Sequence, residues 1–224
     1  MKNYLDVIKK SPLFHNIEDF NVIPMLGCIA GYKKSYEKGQ IIFSEGDLIN
    51  EIGIVLKGKV ELSKYGYNGN KSIIVTLEAP QMFGESYACS EIKKIPVDII
   101  SIEDSEILFV NVERILKTCS NACSFHNKMI SNLLTAVANK NIVLNKKIEI
   151  TSKRTTREKL LTYLFLKAKE EGKKQFTIEY DRQSLADYLE VDRSGLSVEI
   201  SKLCKEGIID NQKNHFILKR NIYI

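Results

Sequence analysis

The spacing of apolar residues changes twice along this chain. Residues 1 to about 32 have a helical pattern, and Ser11-Pro12 suits the start of a helix. From Lys33 to about Val110 the apolar residues fall in short runs, separated by glycine-containing turns about every ten residues. Such runs predict the strands of a β-sandwich or β-roll. They are IIF (41–43), IGIVL (52–56), VEL (60–62), SIIVTL (72–77), IPVDIISI and EILFV.

From Val112 to about Glu149 the spacing is three or four, without Gly or Pro, and predicts one helix of over ~30 residues, or ~45 Å. A helix of this length has more apolar surface than one small roll can cover. A second copy of the same helix is the simplest partner. We therefore expect an approximately two-fold dimer through a coiled-coil-like seam, although His126 and Asn141 interrupt the stripe.

The last third of the chain has the pattern of a winged helix. Ile150 to Arg154 suits a short polar hinge, and Thr155 and Glu158 have the spacing of a capping box. A helix then extends to about Gly172, and QFTIE (175–179) suits a strand. Asp181–Gly207 predicts two short capped helices with a tight turn between them, followed by a hairpin from 208–210 and 215–218. Two helices and a turn occur in many proteins, but this whole order predicts a DNA-binding domain.

We therefore predict an α+β protein with three parts. Residues 1–111 form a β-roll with an effector or sensor role, residues 112–149 a long dimerisation helix, and residues 150–224 a winged-helix DNA-binding domain.

The charge of the chain agrees with a nucleic-acid partner, and its motifs do not indicate an enzyme. The net charge is +5, and Thr151 onward has 15 Lys/Arg against 11 Asp/Glu. No apolar run is long enough for a membrane span or signal peptide, so we expect a cytoplasmic protein. The sequence has no Gly-rich phosphate loop, metal-ligand cluster or nucleophile elbow, so we predict no catalytic residue, metal site or cofactor. Cys119 and Cys123 share a helix face and suit either buried apolar positions or a redox role.

The element order and four motifs resemble the cyclic-AMP receptor protein/FNR (Crp/Fnr) family of bacterial transcription regulators. The motifs are KGQIIFSEGD (38–47), GIVLKGKVEL (53–62), FGES (83–86) and DRQSLADYLEVDRSGLS (181–197). The resemblance implies that the roll is similar to a cyclic-nucleotide-binding domain. It also implies a homodimer that reads a near-palindromic operator, with half-sites roughly 34 Å apart. If the protein is an activator, RNA polymerase would be a further partner.

The effector pocket implied by the resemblance departs from the cyclic-AMP pattern. Gly84 and Glu85, followed by Ser86, match the pair that contacts the ribose, although Glu85 could instead close the roll through backbone amides. Ile95 and Pro96 stand where the family places an Arg for the phosphate and a small polar residue. A buried phosphate without a cation is costly, and Lys93 or Lys94 would be the substitutes. On the long helix, Val143 and Leu144 stand where hydroxyl residues would contact the adenine. We therefore predict an unidentified small-molecule effector other than cyclic AMP, or a vestigial pocket.

Haem or iron–sulfur sensing, which the family also includes, has weak support. His126 is the one histidine placed to be an axial ligand, and the N-terminal cysteine cluster of the iron–sulfur members is absent.

The outward face of the second short helix holds the predicted DNA contacts. Arg193 matches the family's first reading position and could bond a guanine edge with both arms. Val198 stands where relatives often have an Arg, so only apolar contact is expected there. Arg182 and Gln183 are expected at phosphates. The remaining candidates are Ser194, Ser197 and Ser201, with Lys202, Lys205 and Lys213 as contacts to the DNA backbone.

Two residues depart from the helix-turn-helix pattern. Glu190 occupies a turn position where Gly is common, and Glu199 a position where an apolar residue is usual. Neither removes the pattern.

The alternative function is a ligand-binding signalling module with a degenerate DNA-binding half.

Overall fold

The computed structural model describes residues 1–67, 70–117 and 124–219. The chain forms two compact units, one comprising Met1–Asn139 and the other beginning at Lys140. This division falls inside a long helix rather than at its end, where the predicted domain boundary of 149/150 lies. None of the helices in the described ranges has a stretch long and apolar enough to cross a bilayer.

The first unit begins with two short helices, α1 (Leu5–Lys10) and α2 (Asp19–Cys28). A 3-10 turn that begins at Pro12 lies between them, with Ser11 in extended backbone before it. Proline suits this first position because its missing N–H would have no helical partner there. Ile8, Leu13 and Phe14 are fully buried, so these helices pack on the core of the roll.

The β-roll follows, and its strands lie where the apolar runs predicted them. The elements are β1 (Tyr32–Tyr36), β2 (Ile41–Phe43), β3 (Glu51–Lys57), β4 (Lys59–Tyr65), β5 (Lys71–Glu78), β6 (Met82–Phe83), the short helix α3 (Glu85–Ala88), β7 (Asp98–Ser101) and β8 (Ser105–Asn111). They form two antiparallel four-stranded sheets, in the orders β1-β8-β3-β6 and β2-β7-β4-β5.

Aromatic rings fill part of the core of the roll. The ring of Phe109 on β8 lies 5.4–6.4 Å from the rings of Tyr32, Tyr36, Phe43 and Phe83, measured between centroids. Aromatic pairs at these distances are favourable beyond the area they bury. The alternating strands of the roll therefore surround a well-packed apolar core.

The prediction of one helix from Val112 to Glu149 is wrong. Helix α4 spans only Val112–Leu116, where the Asn111 side chain accepts a hydrogen bond from the Arg114 amide at 3.0 Å. Lys117 has extended backbone, so α4 ends there. The next helix, α5, spans Ser124–Thr151 and has 28 residues, or ~42 Å. Lys117 is followed in the sequence by TCSN, residue types of low helix propensity, which agrees with the end of α4 at Leu116. Cys119 and Cys123 lie outside the described residues.

The second unit contains the last turns of α5 and a winged helix. Its elements are α6 (Thr156–Glu171), β9 (Gln175–Thr177), α7 (Arg182–Leu189), α8 (Arg193–Lys205), β10 (Ile209–Gln212) and β11 (His215–Leu218). The strands form a sheet in the order β10-β11-β9. The predicted capping box of Thr155 and Glu158 is confirmed, and Gly172 ends α6 in left-handed backbone. Fully buried Ala186 on α7 lets α8 approach closely.

The predicted architecture of roll, long helix and winged helix-turn-helix is therefore confirmed.

Candidate nucleic-acid interface and effector pocket

Helix α8 has one buried face and one exposed face. Leu196, Ile200 and Leu203 are at most 4% exposed and form the buried stripe. The helix begins cleanly because the Asp192 carboxylate accepts a hydrogen bond from the Gly195 amide at 2.8 Å. The hydrogen bond that Ser194 donates, and then the Gly195 amide, lower the pKa of Asp192, so this cap is an anion at neutral pH.

The predicted DNA contacts of α8 lie on its exposed face. Arg193, Ser194 and Lys202 are exposed, and Val198 is 54% exposed. Ser197 is half-buried, and its hydroxyl donates to the Arg193 carbonyl at 3.0 Å. Lys202 lies 3.7 Å from the Glu199 carboxylate, measured from Nζ to Oε2. An arginine, short hydroxyls and a valine together offer the groups that recognise base edges and thymine methyls in a major groove.

Arg182 and Gln183, the predicted phosphate contacts on α7, are both engaged within the protein. The Arg182 guanidinium donates to Asn211 Oδ1 at 2.8 Å and to the Lys213 carbonyl at 3.5 Å. Burial, and then the neighbouring Arg193, lower the pKa of Arg182. Gln183 Nε2 donates to Asp187 Oδ1 at 2.9 Å on the exposed side of the same helix.

The wing turn is organised by Asn211. Its side-chain amide donates to the carbonyls of Lys213 and His215, each at 3.0 Å. This holds Lys213 in left-handed backbone, with φ of 55°. Because Arg182 donates to the same carboxamide, it connects α7 to the wing. Arg182 therefore positions Lys213, which sequence reasoning had expected at the DNA backbone.

Arg157, which sequence reasoning missed, holds α8 against α6. Its guanidinium lies 3.3 Å from Glu199 Oε1 and donates to Glu206 Oε1 at 2.9 Å, with a second bond to the other Glu206 oxygen. The hydrogen bonding to Glu206 raises the pKa of Arg157. Glu199 has a side chain only 15% exposed. This explains the acidic residue at an apolar position of the helix, and that departure was the signal that could have led to Arg157.

The second departure, Glu190, forms the turn between α7 and α8. Its backbone is left-handed, with φ of 53° and ψ of 54°. This conformation is costly for residues other than Gly, so surrounding contacts must hold it. Lys147 and Lys159 supply such contacts from α5 and α6.

The first part of the candidate effector pocket is the Gly84-Glu85-Ser86 corner of the roll. Gly84 has φ of 83° and begins α3, and a Cβ there would lie 2.6 Å from the Ile49 side chain. Only glycine fits such a position. Glu85 is 3% exposed, and the Ser86 hydroxyl donates to Glu85 Oε1 at 3.3 Å. The corner therefore presents a buried carboxylate rather than a surface acid.

Ile95 belongs to the core of the roll. It is 1% exposed, its amide donates to the Asp47 carbonyl at 3.0 Å, and its own carbonyl accepts from Gly46 at 2.7 Å. Pro96 beside it is half-buried. Lys93, a candidate substitute cation, lies 3.1 Å from the Glu113 carboxylate and lowers the pKa of that group.

Val143 and Leu144 lie on α5 within the second unit, and both are 62% exposed. The Gly84-Glu85-Ser86 corner belongs to the first unit. The candidate pocket residues therefore belong to both units, and each group lies within its own unit. Val143 lines a groove in the second unit, beside Tyr163, Tyr180 and Tyr188.

Within the described ranges, no group of three or more His, Cys, Asp or Glu side chains could hold a metal ion. His126, the candidate haem ligand, is 4% exposed on α5.

Two domain families match this sequence. Residues 33–122 match the cyclic nucleotide-binding domain, and residues 158–221 match the Crp-like helix-turn-helix domain. The first match covers the strands of the roll, and the second covers most of α6 and the DNA-reading elements.

The chain is also similar to individual regulators. It is 30% identical to the cyclic AMP receptor protein of Thermus thermophilus over 101 residues. These residues are 45% of this chain and 45% of that protein, so the match spans less than half the length of the relative. The crystal structure of Thermus thermophilus catabolite activator protein is 22% identical, with a TM-score of 0.50 over 92% of this chain and 93% of that one. The c-di-GMP responsive global regulator of Xanthomonas campestris is 13% identical, with a TM-score of 0.53 over 91% of this chain and 100% of that one. The structural likenesses show a common fold.

Proposed function

We propose that this chain, which belongs to the Crp/Fnr family of DNA-binding transcription regulators, acts as a homodimer on a near-palindromic operator. In this proposal α8 of each protomer enters the major groove of one half-site. The roll is the effector-binding domain, and its effector is a small molecule other than cyclic AMP. An activator of this kind would also contact RNA polymerase.

The observation that carries the DNA-reading proposal is the exposed face of α8. Arg193 stands at the start of that helix, where side chains of a recognition helix reach base edges. Its guanidinium can bond O6 and N7 of a guanine together, and Val198 can contact a thymine methyl. The opposite face is fixed in the core, so α8 presents these groups in one orientation.

The apolar face of α5 supports the homodimer. Leu134, Asn141 and Ile148 are spaced by seven residues, and Val137 and Leu144 fall between them at spacings of three and four. Leu134, Leu144 and Ile148 are 61–69% exposed. This spacing supports a coiled-coil seam, in which one polar residue such as Asn141 would select the register and the number of strands.

The effector proposal rests on the chemistry at Ile95 and Lys93. Ile95 stands where the family places the Arg that neutralises a cyclic phosphate, and it lies in the core of the roll. Lys93 is paired with Glu113. Lys94, the other candidate substitute, is exposed, so a buried anion would have to be desolvated without a compensating cation. Isothermal titration of the full-length protein with cyclic AMP should give no binding at micromolar concentrations. Micromolar affinity would overturn this part of the proposal.

Selection from a random-sequence DNA library tests the regulator proposal itself. The full-length protein should enrich an inverted repeat whose half-site centres are about 10–10.5 base pairs apart. If no inverted repeat is enriched while a small molecule binds the roll, the alternative of a signalling module with a degenerate DNA-binding half would replace this proposal.

A further inference from the structure

The last turns of α5 are built into the DNA-reading unit. Ile150 is 2% exposed and lies in the same core as Leu160 and Tyr163 of α6. Lys146 forms an ion pair with Glu170 of α6. The sequence had predicted a polar hinge from Ile150 to Arg154, but its first residue is core. The connection from α5 to α6 is therefore held on the α5 side by burial and charge.

Lys147 on α5 reaches the C-terminal end of α7. Its ammonium donates to the Tyr188 carbonyl, lies 3.4 Å from Glu190 Oε1 and lies 4.5 Å from the centroid of the Tyr188 ring. The last carbonyls of a helix have no partners within the helix and carry partial negative charge. A lysine at this position satisfies one of them and complements the helix dipole.

The surroundings of Lys147 make these contacts stronger than ordinary surface pairs. Its side chain is 29% exposed. The Tyr188 ring stacks on Tyr180 at 5.0 Å and meets Tyr163 at 5.5 Å, measured between centroids. The Tyr188 side chain is half-buried, and this burial raises its pKa. A cation over a ring of this kind is attracted by its face.

The contacts converge on the turn that leads into α8. Glu190 holds left-handed backbone, and Lys159 of α6 donates to its carbonyl at 3.3 Å. The Val191 amide donates to the Ala186 carbonyl at 3.0 Å, and α8 begins two residues later at Arg193. Because so few residues separate the turn from α8, fixing the turn also fixes where α8 starts.

We propose that Lys147 is a positioning residue for DNA recognition, because it fixes the helix-turn-helix on the end of α5. As a consequence, α5 sets the spacing between the recognition helices of the two protomers. This inference rests on the homodimer and DNA reading proposed above. It assigns the control of operator spacing to a contact between α5 and the turn at Glu190, next to the segment 150–154 for which the sequence predicted a short polar hinge.

Lys147→Met tests the proposal, because methionine keeps the apolar stem and removes the charge and the hydrogen bond. Lys128→Met is the matched control, since Lys128 is an exposed lysine on the same helix. Affinities are measured for the full-length protein on the selected operator, on operators with one base pair added or removed between half-sites, and on a single half-site. The wild type and Lys128→Met should bind the altered spacings at least about tenfold more weakly than the selected operator.

Lys147→Met should reduce this spacing penalty to under about threefold, while single half-site affinity changes by less than about twofold. An unchanged spacing penalty overturns the proposal. An equal loss of affinity on every DNA, half-site included, also overturns it, because Lys147 would then serve general stability or charge.

Hydrogen exchange makes the proposal testable without DNA. In the free protein, Lys147→Met should raise exchange at the amides of Glu190 and Val191 at least about tenfold, with no such change in Lys128→Met. Unchanged exchange at these amides overturns the proposal that Lys147 fixes the turn, even if an operator is selected. If the wild type selects no operator but exchange rises as expected, the DNA-reading proposal fails and Lys147 positions nothing on DNA, which also overturns the inference.

Discussion

Replacing Arg157 by alanine tests whether the charges around α8 hold the recognition helix in place. The Arg157 side chain is 36% exposed and Glu206 is 44% exposed, so their pair contributes about 0–1 kcal/mol. Glu199 is only 15% exposed, and in the variant it would keep only Lys202 at 3.7 Å. Leaving a largely buried carboxylate short of a donor costs about 1 kcal/mol more. We expect the free energy of opening α8 to fall by about 1–2 kcal/mol.

Native-state hydrogen exchange of the full chain is the assay, because it reports opening of α8 without requiring two-state unfolding of both units. Exchange at the buried-face amides of α8 should rise about 5–30-fold in Arg157→Ala. Arg154→Ala is the matched control, since Arg154 is an exposed arginine near the start of α6. It should leave these amides unchanged.

The double variant Arg157→Ala/Glu199→Leu separates the two causes. An apolar residue at position 199 needs no partner, so most of the lost stability should return. Exchange in Arg157→Ala equal to that of the wild type would show that Arg157 does not hold α8. Faster exchange in the double variant than in Arg157→Ala would show that the unpaired carboxylate is not the source of the loss.

Three further predictions concern the turn, the cap and the dimer seam. Glu190→Gly should stabilise α7 and α8 by about 0.5–1 kcal/mol, measured by hydrogen exchange. Glycine accepts left-handed backbone, and the Glu190 side chain is 63% exposed. Destabilisation would mean that the contact of its carboxylate with Lys147 is essential to the turn. The lowered pKa of Asp192 gives stabilisation that is present above the usual value of about 3.9 and is lost as pH falls below it. Exchange at the start of α8 should therefore depend less on acid in Asp192→Asn, and equal acid dependence would contradict this. Asn141→Leu should strengthen self-association at least about tenfold in sedimentation equilibrium; unchanged association would exclude position 141 from the seam.

The order of the elements could be predicted from the sequence, because the short apolar runs of strands and the three-or-four spacing of helices are both local signals. Short apolar runs between glycine-containing turns indicated the strands of the roll, and the pattern of Asp181–Gly207 indicated the two short helices of the helix-turn-helix. The caps at Asp181 and Asp192 were equally local, and the structure shows both. The break after Leu116 was missed because the apolar spacing continues through residues of poor helix propensity.

The contacts that organise the interface could not be read from local patterns. Arg157 meets Glu199 across 42 residues, and Lys147 meets Tyr188 across 41. The sequence showed only that Glu190 and Glu199 were unusual, not which cations would meet them. Arg182 was assigned to phosphate because of its place at a helix start, and no local pattern indicated that its guanidinium donates to Asn211, 29 positions later. These contacts are long-range hydrogen bonds and ion pairs, and periodicity carries no information about them.

The measurement that tests the account most directly is the base preference of Arg193→Ala beside the wild type. Both full-length proteins are titrated onto the selected operator and onto variants with each half-site base pair replaced in turn. The wild type should discriminate at every contacted position, and Arg193→Ala should lose about 1–3 kcal/mol of discrimination at one base pair per half-site. An equal loss of affinity on every sequence would make Arg193 a phosphate contact and contradict the reading of DNA through α8.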